Sequence, residues 1–397
     1  MVYTIPLIFL PVDSVVPAAI GASPAFDPAT LGQLLQAAAR EAASLRERLD
    51  NRVLANFQLP GLCQGLVGLL EATTELLDGE LASLEQWVET GHPEIHSQPG
   101  ADLNSPMAEH YRIYDDYFRV RRLPGMTLPQ FIGQAAICCR RLLLDLPYTQ
   151  LDCHQLGNLL DTLGLMMEEF AAHYPADPVA APPAVRSSEA HRAYARCWGE
   201  AVAETAQWSA DIAFFRWRLG HHYFNLCNII ARDLLCRVAA DPEAPDAPGQ
   251  LQRAGVLLRG TTFAMWYAGN FMPGLYETVV RPSMVMPGSK AGFSGDQNFD
   301  YNNFKHVKND LLDHLRQRYP GDMAQRAPRL YQALVSFQEA DLVDKEHHLV
   351  LVAAKVGTAQ SLSQQVWQAE LPPEVPQLSA VDILREMLQA QREELIR

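Results

Sequence analysis

Asp341-Leu-Val-Asp-Lys-Glu-His-His348-Leu-Val-Leu-Val-Ala-Ala-Lys-Val356 contains neither glycine nor proline, and a histidine pair opens its apolar half. A run of this length without a breaker predicts a long helical segment. Helical spacing puts His348 on one face with Asp344, Leu351, Val352 and Lys355. It puts His347 with Val343, Val350, Leu351 and Ala354, so periodicity alone makes His347 the more buried of the two.

The segments around this stretch read the same way. Residues 28–50 have Asp27 as a cap candidate, Pro28 in the first turn and apolar residues three to four apart. Similar patterns predict helices over about 64–90, 127–145, 153–174, 188–238, 250–269, 303–318, 324–341 and 341–358, with a terminal helix from near Ser379. Strand-like alternation is scarce, and no strand–helix alternation suggests a parallel sheet. The expected fold class is all-α. The apolar start Met1-Val-Tyr-Thr-Ile-Pro-Leu-Ile-Phe-Leu10 is short and lacks a basic flank, so it is expected to pack as an extended arm rather than act as a signal peptide.

Pro175, Pro178, Pro182 and Pro183, interleaved with alanine, predict a stiff linker. The expected organisation is a helical part over 1–175, a linker over 176–187 and a larger helical domain over 188–397. Residues 270–302 are dense in Gly, Pro, Asn and Ser and are expected to form a long irregular loop. Such a loop inside a helical domain is more often functional than filler.

A chain of 397 residues can bury a substantial core, and 48% hydrophobic residues exclude wholesale disorder. Its net charge of −14, without a strongly basic cluster, argues against nucleic acid and anionic membranes as partners. No window reaches the roughly 20 apolar residues of a membrane span. Seven cysteines without a Cys-x-x-Cys pair make a structural zinc site unexpected, and their odd number fits a reducing cytoplasm.

A neutral imidazole on a rigid helix, flanked by apolar side chains, suits the axial position of a haem iron. The bland alternative for His347 and His348 is one core histidine and one surface histidine. His221 and His222, in Trp217-Arg-Leu-Gly-His-His-Tyr-Phe224, are candidates to donate a hydrogen bond or relay a proton near bound oxygen; the bland alternative is helix packing beside aromatics. Helical di-iron sites need Glu-x-x-His pairs on two helices, and the sequence does not supply them. Gly292-Phe-Ser-Gly-Asp falls short of a nucleophile elbow, and no phosphate loop or dinucleotide fingerprint occurs. Cys138-Cys139-Arg140-Arg141 could carry a lowered thiol pKa, but on an amphipathic helix it is expected to pack.

Three stretches in order resemble one family. His348-Leu-Val-Leu-Val-Ala-Ala-Lys-Val356 resembles the proximal-histidine helix of indoleamine 2,3-dioxygenases and of the related haem enzyme of pyrrolnitrin synthesis. Gly292-Phe-Ser-Gly-Asp-Gln297 resembles the Gly-x-Ser-x-x-Gln loop next to the haem in that superfamily. Tyr276-Glu-Thr-Val-Val-Arg281 resembles its aromatic-x4-Arg element. Leu59-Pro-Gly-Leu62 adds a faint match near the front. The chain departs from the dioxygenases at Gly357-Thr-Ala-Gln360, where they carry a glycine pair in a closing loop, and stands nearer the pyrrolnitrin branch.

The resemblance implies an indoleamine 2,3-dioxygenase-like helical fold and haem b (iron protoporphyrin IX) held by His348, with His347 as runner-up. It implies Arg281 as the clamp on a substrate carboxylate, Tyr276 as a pocket aromatic, and Ser294 and Gln297 as residues near haem or substrate. His221, His222 and Ser294 form the expected catalytic set. The expected activity is oxidation of an amino-acid-like, aromatic or indolic substrate by dioxygen or peroxide in secondary metabolism. A non-haem iron oxidase and a non-catalytic helical interaction protein are the other readings. Oligomeric state is not legible.

Overall fold

The computed structural model describes residues 7–12, 26–50, 63–89, 106–174, 210–285, 297–356 and 379–396. It is an all-α protein in which the main elements are β1 (Ile8–Pro11), α1 (Pro28–Asp50), α2 (Gln64–Leu76), α3 (Asp78–Glu89), α4 (Pro106–Phe118), β2 (Val120–Leu123), α5 (Leu128–Asp145), α6 (Cys153–Ala171), α7 (Ala210–Ala240), α8 (Ala247–Ala268), α9 (Phe299–Arg318), α10 (Pro328–Val356) and α11 (Ala380–Ile396). The chain forms two compact units, Met1–Tyr223 and Phe224–Arg397. Their division falls within α7; the Pro/Ala-rich segment 176–187 lies outside the described residues.

In the first unit, helix starts follow local capping chemistry. Asp27 accepts from the N–H groups of Ala29 and Thr30 at the head of α1. Reciprocal capping boxes, Thr127 with Gln130 and Asp152 with Gln155, open α5 and α6. The small residues of α1 admit α6 closely: a side chain on Gly164 would meet the Ala42 methyl at 3.5 Å, and one on Gly157 would meet the Arg46 guanidinium at 3.0 Å. These contacts run in opposite directions along the two helices, so α1 and α6 are antiparallel. The Arg46 Nε donates to Asp161 at 3.1 Å along the same seam.

The apolar front segment forms β1, which pairs in parallel with β2 in the register Ile8 to Val120 through Pro11 to Leu123. The sequence pattern misses β2, because Val-Arg-Arg-Leu shows no clean alternation. Its Arg122 is nonetheless buried, since Asp115 accepts from the guanidinium through both carboxylate oxygens at 2.9 Å. Gln134 closes the edge by accepting from the Phe9 N–H at 3.1 Å.

In the second unit, α8 and α10 form the central pair. Gly255 lies 3.7 Å (from its would-be Cβ) from Ala340 and Phe337, Thr262 meets Asp344, Trp266 meets His347, and Gly269 meets Leu351. Both series rise together, so the helices run parallel. Lys308 of α9 donates to Asp341 of α10 at 2.8 Å, and Gln391 of α11 donates to the same oxygen at 2.8 Å.

Two segments differ from expectation. The helices expected over 324–341 and 341–358 are one continuous α10, because no breaker separates them after Pro328. The stretch expected to be an irregular loop is helical from Pro273 to Ser283, with a π turn over Tyr276–Val280. The glycines that made it look irregular cluster later, in 286–296, outside the described residues.

Candidate functional site

Asp344 begins the site, one helical turn before His348. Its Oδ1 accepts from the hydroxyls of Thr261 at 2.8 Å and Thr262 at 2.7 Å on α8. The residue keeps some exposed surface, but the carboxyl is turned inward onto the threonines. Burial pushes this carboxyl up to about 6, with Asp341 adding repulsion, while both hydroxyls and Lys345 pull the other way.

One turn further, the Trp266 Nε1–H donates to His347 Nδ1 at 3.3 Å, with the rings edge-on at 6.1 Å. This contact fixes the His347 tautomer: Nδ1 is the acceptor, so Nε2 carries the proton. A histidine that binds metal through Nε2 needs the reverse, with Nδ1–H donated to an acceptor. Val343 and Val350, which share the His347 face, are exposed at 44% and 54%. His347 therefore does not occupy the buried apolar face that periodicity suggests. His348 is half-buried, on the face that carries Asp344 and Lys355.

At the end of this face Lys355 Nζ donates to the Phe271 carbonyl at 3.0 Å and lies 4.8 Å from the centre of its ring. Burial pulls the Lys355 ammonium below its ordinary pKa. Phe271 leads into the π turn, which packs on α10. There the Arg281 N–H donates to the Tyr276 carbonyl. A five-residue hydrogen bond stacks residues five apart; π turns of this kind recur at functional sites. The Arg281 guanidinium is mostly buried and 3.5 Å from Glu277. Burial pushes the Tyr276 hydroxyl above its usual range, and Arg281 opposes that rise.

Gln297 stands just before α9, half-buried. Next to it, buried Asn298 caps the helix by accepting from the Tyr301 N–H at 2.9 Å and donates to Asn225 at 2.7 Å. Ser294, the rest of its loop and the Gly357–Gln360 departure lie outside the described residues, as does Leu59-Pro-Gly-Leu62. The second unit thus contains His347, His348, Tyr276, Arg281 and Gln297.

His221 and His222 belong to the first unit. His221 Nδ1–H donates to the Trp217 carbonyl at 2.6 Å, and its ring stacks on Phe118 at 4.0 Å. His222 is buried and donates Nε2–H to the Phe118 carbonyl at 2.6 Å. Burial pulls its imidazole down to about 3, the bond to Phe118 opposes that, and Arg141, His221 and Arg218 lower it further. His222 is thereby held neutral across the physiological range.

Cys138 and Cys139 are buried, and burial pushes Cys139 up to about 12 and Cys138 well above its ordinary value, which makes both packing residues. Among the described residues no group of three or more His, Cys, Asp or Glu side chains is arranged to hold a bare metal ion. Among them, too, no helix is long and apolar enough to cross a membrane. Sequence reasoning named the aromatics of 266–276 as a pocket wall but missed Thr261 and Thr262, a hydroxyl pair on α8 that means nothing until α10 is laid beside it.

A family model described as SfmD 3-methyl-L-tyrosine peroxygenase matches residues 21–333. The match spans most of the chain, and the chain belongs to that family. The matched region includes His221, His222, the π turn, Gln297 and all of α9, and it ends in the first turns of α10. No curated protein and no solved structure gives a significant match. A peroxygenase is an oxidoreductase that inserts oxygen, so the enzyme class expected from the sequence stands at that level.

Proposed function

We propose, from that membership, that the chain is a haem-dependent peroxygenase acting on a tyrosine-like amino acid in secondary metabolism. The family match over residues 21–333 carries the reading. The net reaction replaces one ring C–H by C–OH, consumes one hydrogen peroxide and releases one water. The family's named substrate is a phenolic amino acid, so the substrate proposed is phenolic and not indolic. Peroxide takes precedence over dioxygen on the same ground. The kinship to indoleamine 2,3-dioxygenases is retained as a fold proposal, and the pyrrolnitrin branch gives way to the peroxygenase family.

The donor set on α10 suits haem b. His348 is the proposed axial ligand: it is half-buried on a continuous helix, one turn after the Asp344 carboxylate that Thr261 and Thr262 hold. His347 is disfavoured by the proton that Trp266 forces onto Nε2. When bound, haem supplies activation of the peroxide O–O bond.

The chain's own residues do the rest. Arg281 takes the substrate carboxylate in place of its weak contact to exposed Glu277. Tyr276, desolvated beside it, forms pocket wall, and a substrate-side role is proposed for Gln297 and, from the resemblance alone, for Ser294. Of the two upstream imidazoles expected as proton relays, His222 is the weaker candidate, because it stays neutral with its N–H committed to Phe118.

The test is an absorption titration of the full chain with hemin, alongside His348→Ala and His347→Ala. One haem per chain, lost or shifted only in the His348 variant, supports the class and ligand. Loss only with His347→Ala transfers the ligand role to His347. Absence of stoichiometric binding in the unmodified chain overturns the haem reading; iron without porphyrin would then identify a non-haem oxidase, and no cofactor at all an interaction protein.

A further inference from the structure

Within the first unit the end of α4, the start of β2 and the early turns of α7 carry several cations. Most are matched. Asp115 takes Arg122, Asp116 takes Arg112 and Arg121, and Asp145 takes Arg216. Arg218 is different. Among the described residues no carboxylate and no hydrogen-bond acceptor meets its guanidinium, and its Nε is fully buried without a partner. Its guanidinium carbon lies 5.0 Å from the centre of the Tyr117 ring and 5.6 Å from that of Phe214. The aromatic surfaces hold the planar group in place and keep water from one edge.

Arg119 adds a second cation to this spot. Burial lowers the Arg218 pKa, Tyr117 opposes that, and Arg119 is close enough to lower it further. Arg119 is also the one non-glycine residue with positive φ among those described, at 56°. That conformation, immediately after α4, is normally taken by glycine. A long cation therefore stands where the backbone prefers no side chain, next to an arginine that meets no counter-charge among the described residues. Among the described residues neither arginine meets a carboxylate; exposed Arg119 is solvated, but half-buried Arg218 is unfavourable until an anion joins it.

We propose that Arg218, seated against Tyr117 and Phe214 with Arg119 beside it, is a carboxylate-binding site of the first unit. The guanidinium fork matches the two oxygens of a planar carboxylate. The site lies about two turns into α7, beyond the free N–H groups of a helix start, and has Arg119 as a neighbouring cation. That donor set suits a singly charged carboxylate better than a phosphate dianion. The carboxylate can come from a free amino acid or from a porphyrin side chain, and the two sources are separable.

The experiment uses the full chain, without added cofactor, in calorimetric titrations. The probes are 3-methyl-L-tyrosine, its decarboxylated amine, hemin, hemin dimethyl ester and inorganic phosphate. The variants are Arg218→Gln, Arg218→Met (which keeps much of the stem against the rings), Arg119→Gln and, as a control on the other site, Arg281→Gln. The expected result is at least a tenfold loss of carboxylate affinity in both Arg218 variants and a smaller loss in Arg119→Gln, with folding verified by circular dichroism. An amino-acid source shows the loss for 3-methyl-L-tyrosine and none for its amine; a porphyrin source shows it for hemin and none for the ester. Unchanged carboxylate affinity in folded Arg218 variants overturns the site, as does tighter binding of phosphate than of every carboxylate. A loss seen only in Arg281→Gln overturns it too, while leaving the proposed function standing.

Discussion

The backbone N–H of Arg281 reaches back five residues to the carbonyl of Tyr276. An ordinary α-helix would splay residues five apart by about 140°. The π turn puts them on one side, with the guanidinium near enough to the phenol to counter the effect of its burial. Arg281→Ala should therefore raise the dissociation constant for 3-methyl-L-tyrosine by more than about tenfold, or roughly 1.4 kcal/mol. The haem spectrum should be unchanged. Equal affinity in the variant, measured by the substrate-induced spectral change, would remove Arg281 from the site.

His222 supplies an acid-sensitive element of stability. Its imidazole lies at about 3 in the folded chain, whereas an unfolded histidine titrates near 6.5. Between these values the unfolded state binds the extra proton, so stability is full above about 6.5 and falls as the pH drops toward 3. The slope is at most about 1.4 kcal/mol per pH unit. His222→Phe should flatten that part of a urea-midpoint profile; an identical profile would mean that His222 is not the titrating group.

Asp344 acts in the opposite sense. Its carboxyl is raised to about 6 from 3.8. In that window the folded state holds the extra proton, so this contribution is present below about 3.8 and is lost as pH rises through 6. Asp344→Asn keeps an acceptor for Thr261 and Thr262 without the charge. At pH 8 it should gain stability, at most about 3 kcal/mol for a shift of this size. A variant less stable than the parent at pH 8, by thermal melting without haem, would contradict the buried-charge account.

Arg216 and Asp145 form a buried pair, with Arg216 donating to both carboxylate oxygens and to the Tyr148 carbonyl. Removing one partner strands a charge in the core. Asp145→Asn should cost about 3–5 kcal/mol, while the double change Arg216→Met with Asp145→Leu should recover much of that loss. Denaturant midpoints of the three chains provide the comparison. A double variant no better than the single would show that the pair is irreplaceable in this packing.

The helical class was legible because glycine and proline punctuate the apolar periodicity: Pro28, Pro248 and Pro328 each open a helix. The π turn was not, because Tyr276-Glu-Thr-Val-Val has no breaker and its hydrogen bonds depend on the packing against α10. The α10 candidates were legible only in part. Helical spacing names the faces of His347 and His348 but cannot say which one meets α8. That choice comes from Trp266, about eighty residues away. The solitary Arg218 was invisible in sequence for the same reason: an arginine looks paired or unpaired only once its neighbours are placed.

The parallel pairing of β1 with β2 joins residues more than a hundred positions apart. A contact of such long range closes a large loop, with an entropic cost that grows slowly but must be met before the strands gain anything. Contacts of this kind slow folding. The α4–β2 corner must exist before Ile8–Pro11 has an edge to join, so this strand is expected to arrive late in folding. Until it does, the groups that it covers, Gln134 and the β2 edge among them, stay open to pairing with another nascent chain. Production of the protein is therefore expected to be most vulnerable to aggregation in that interval.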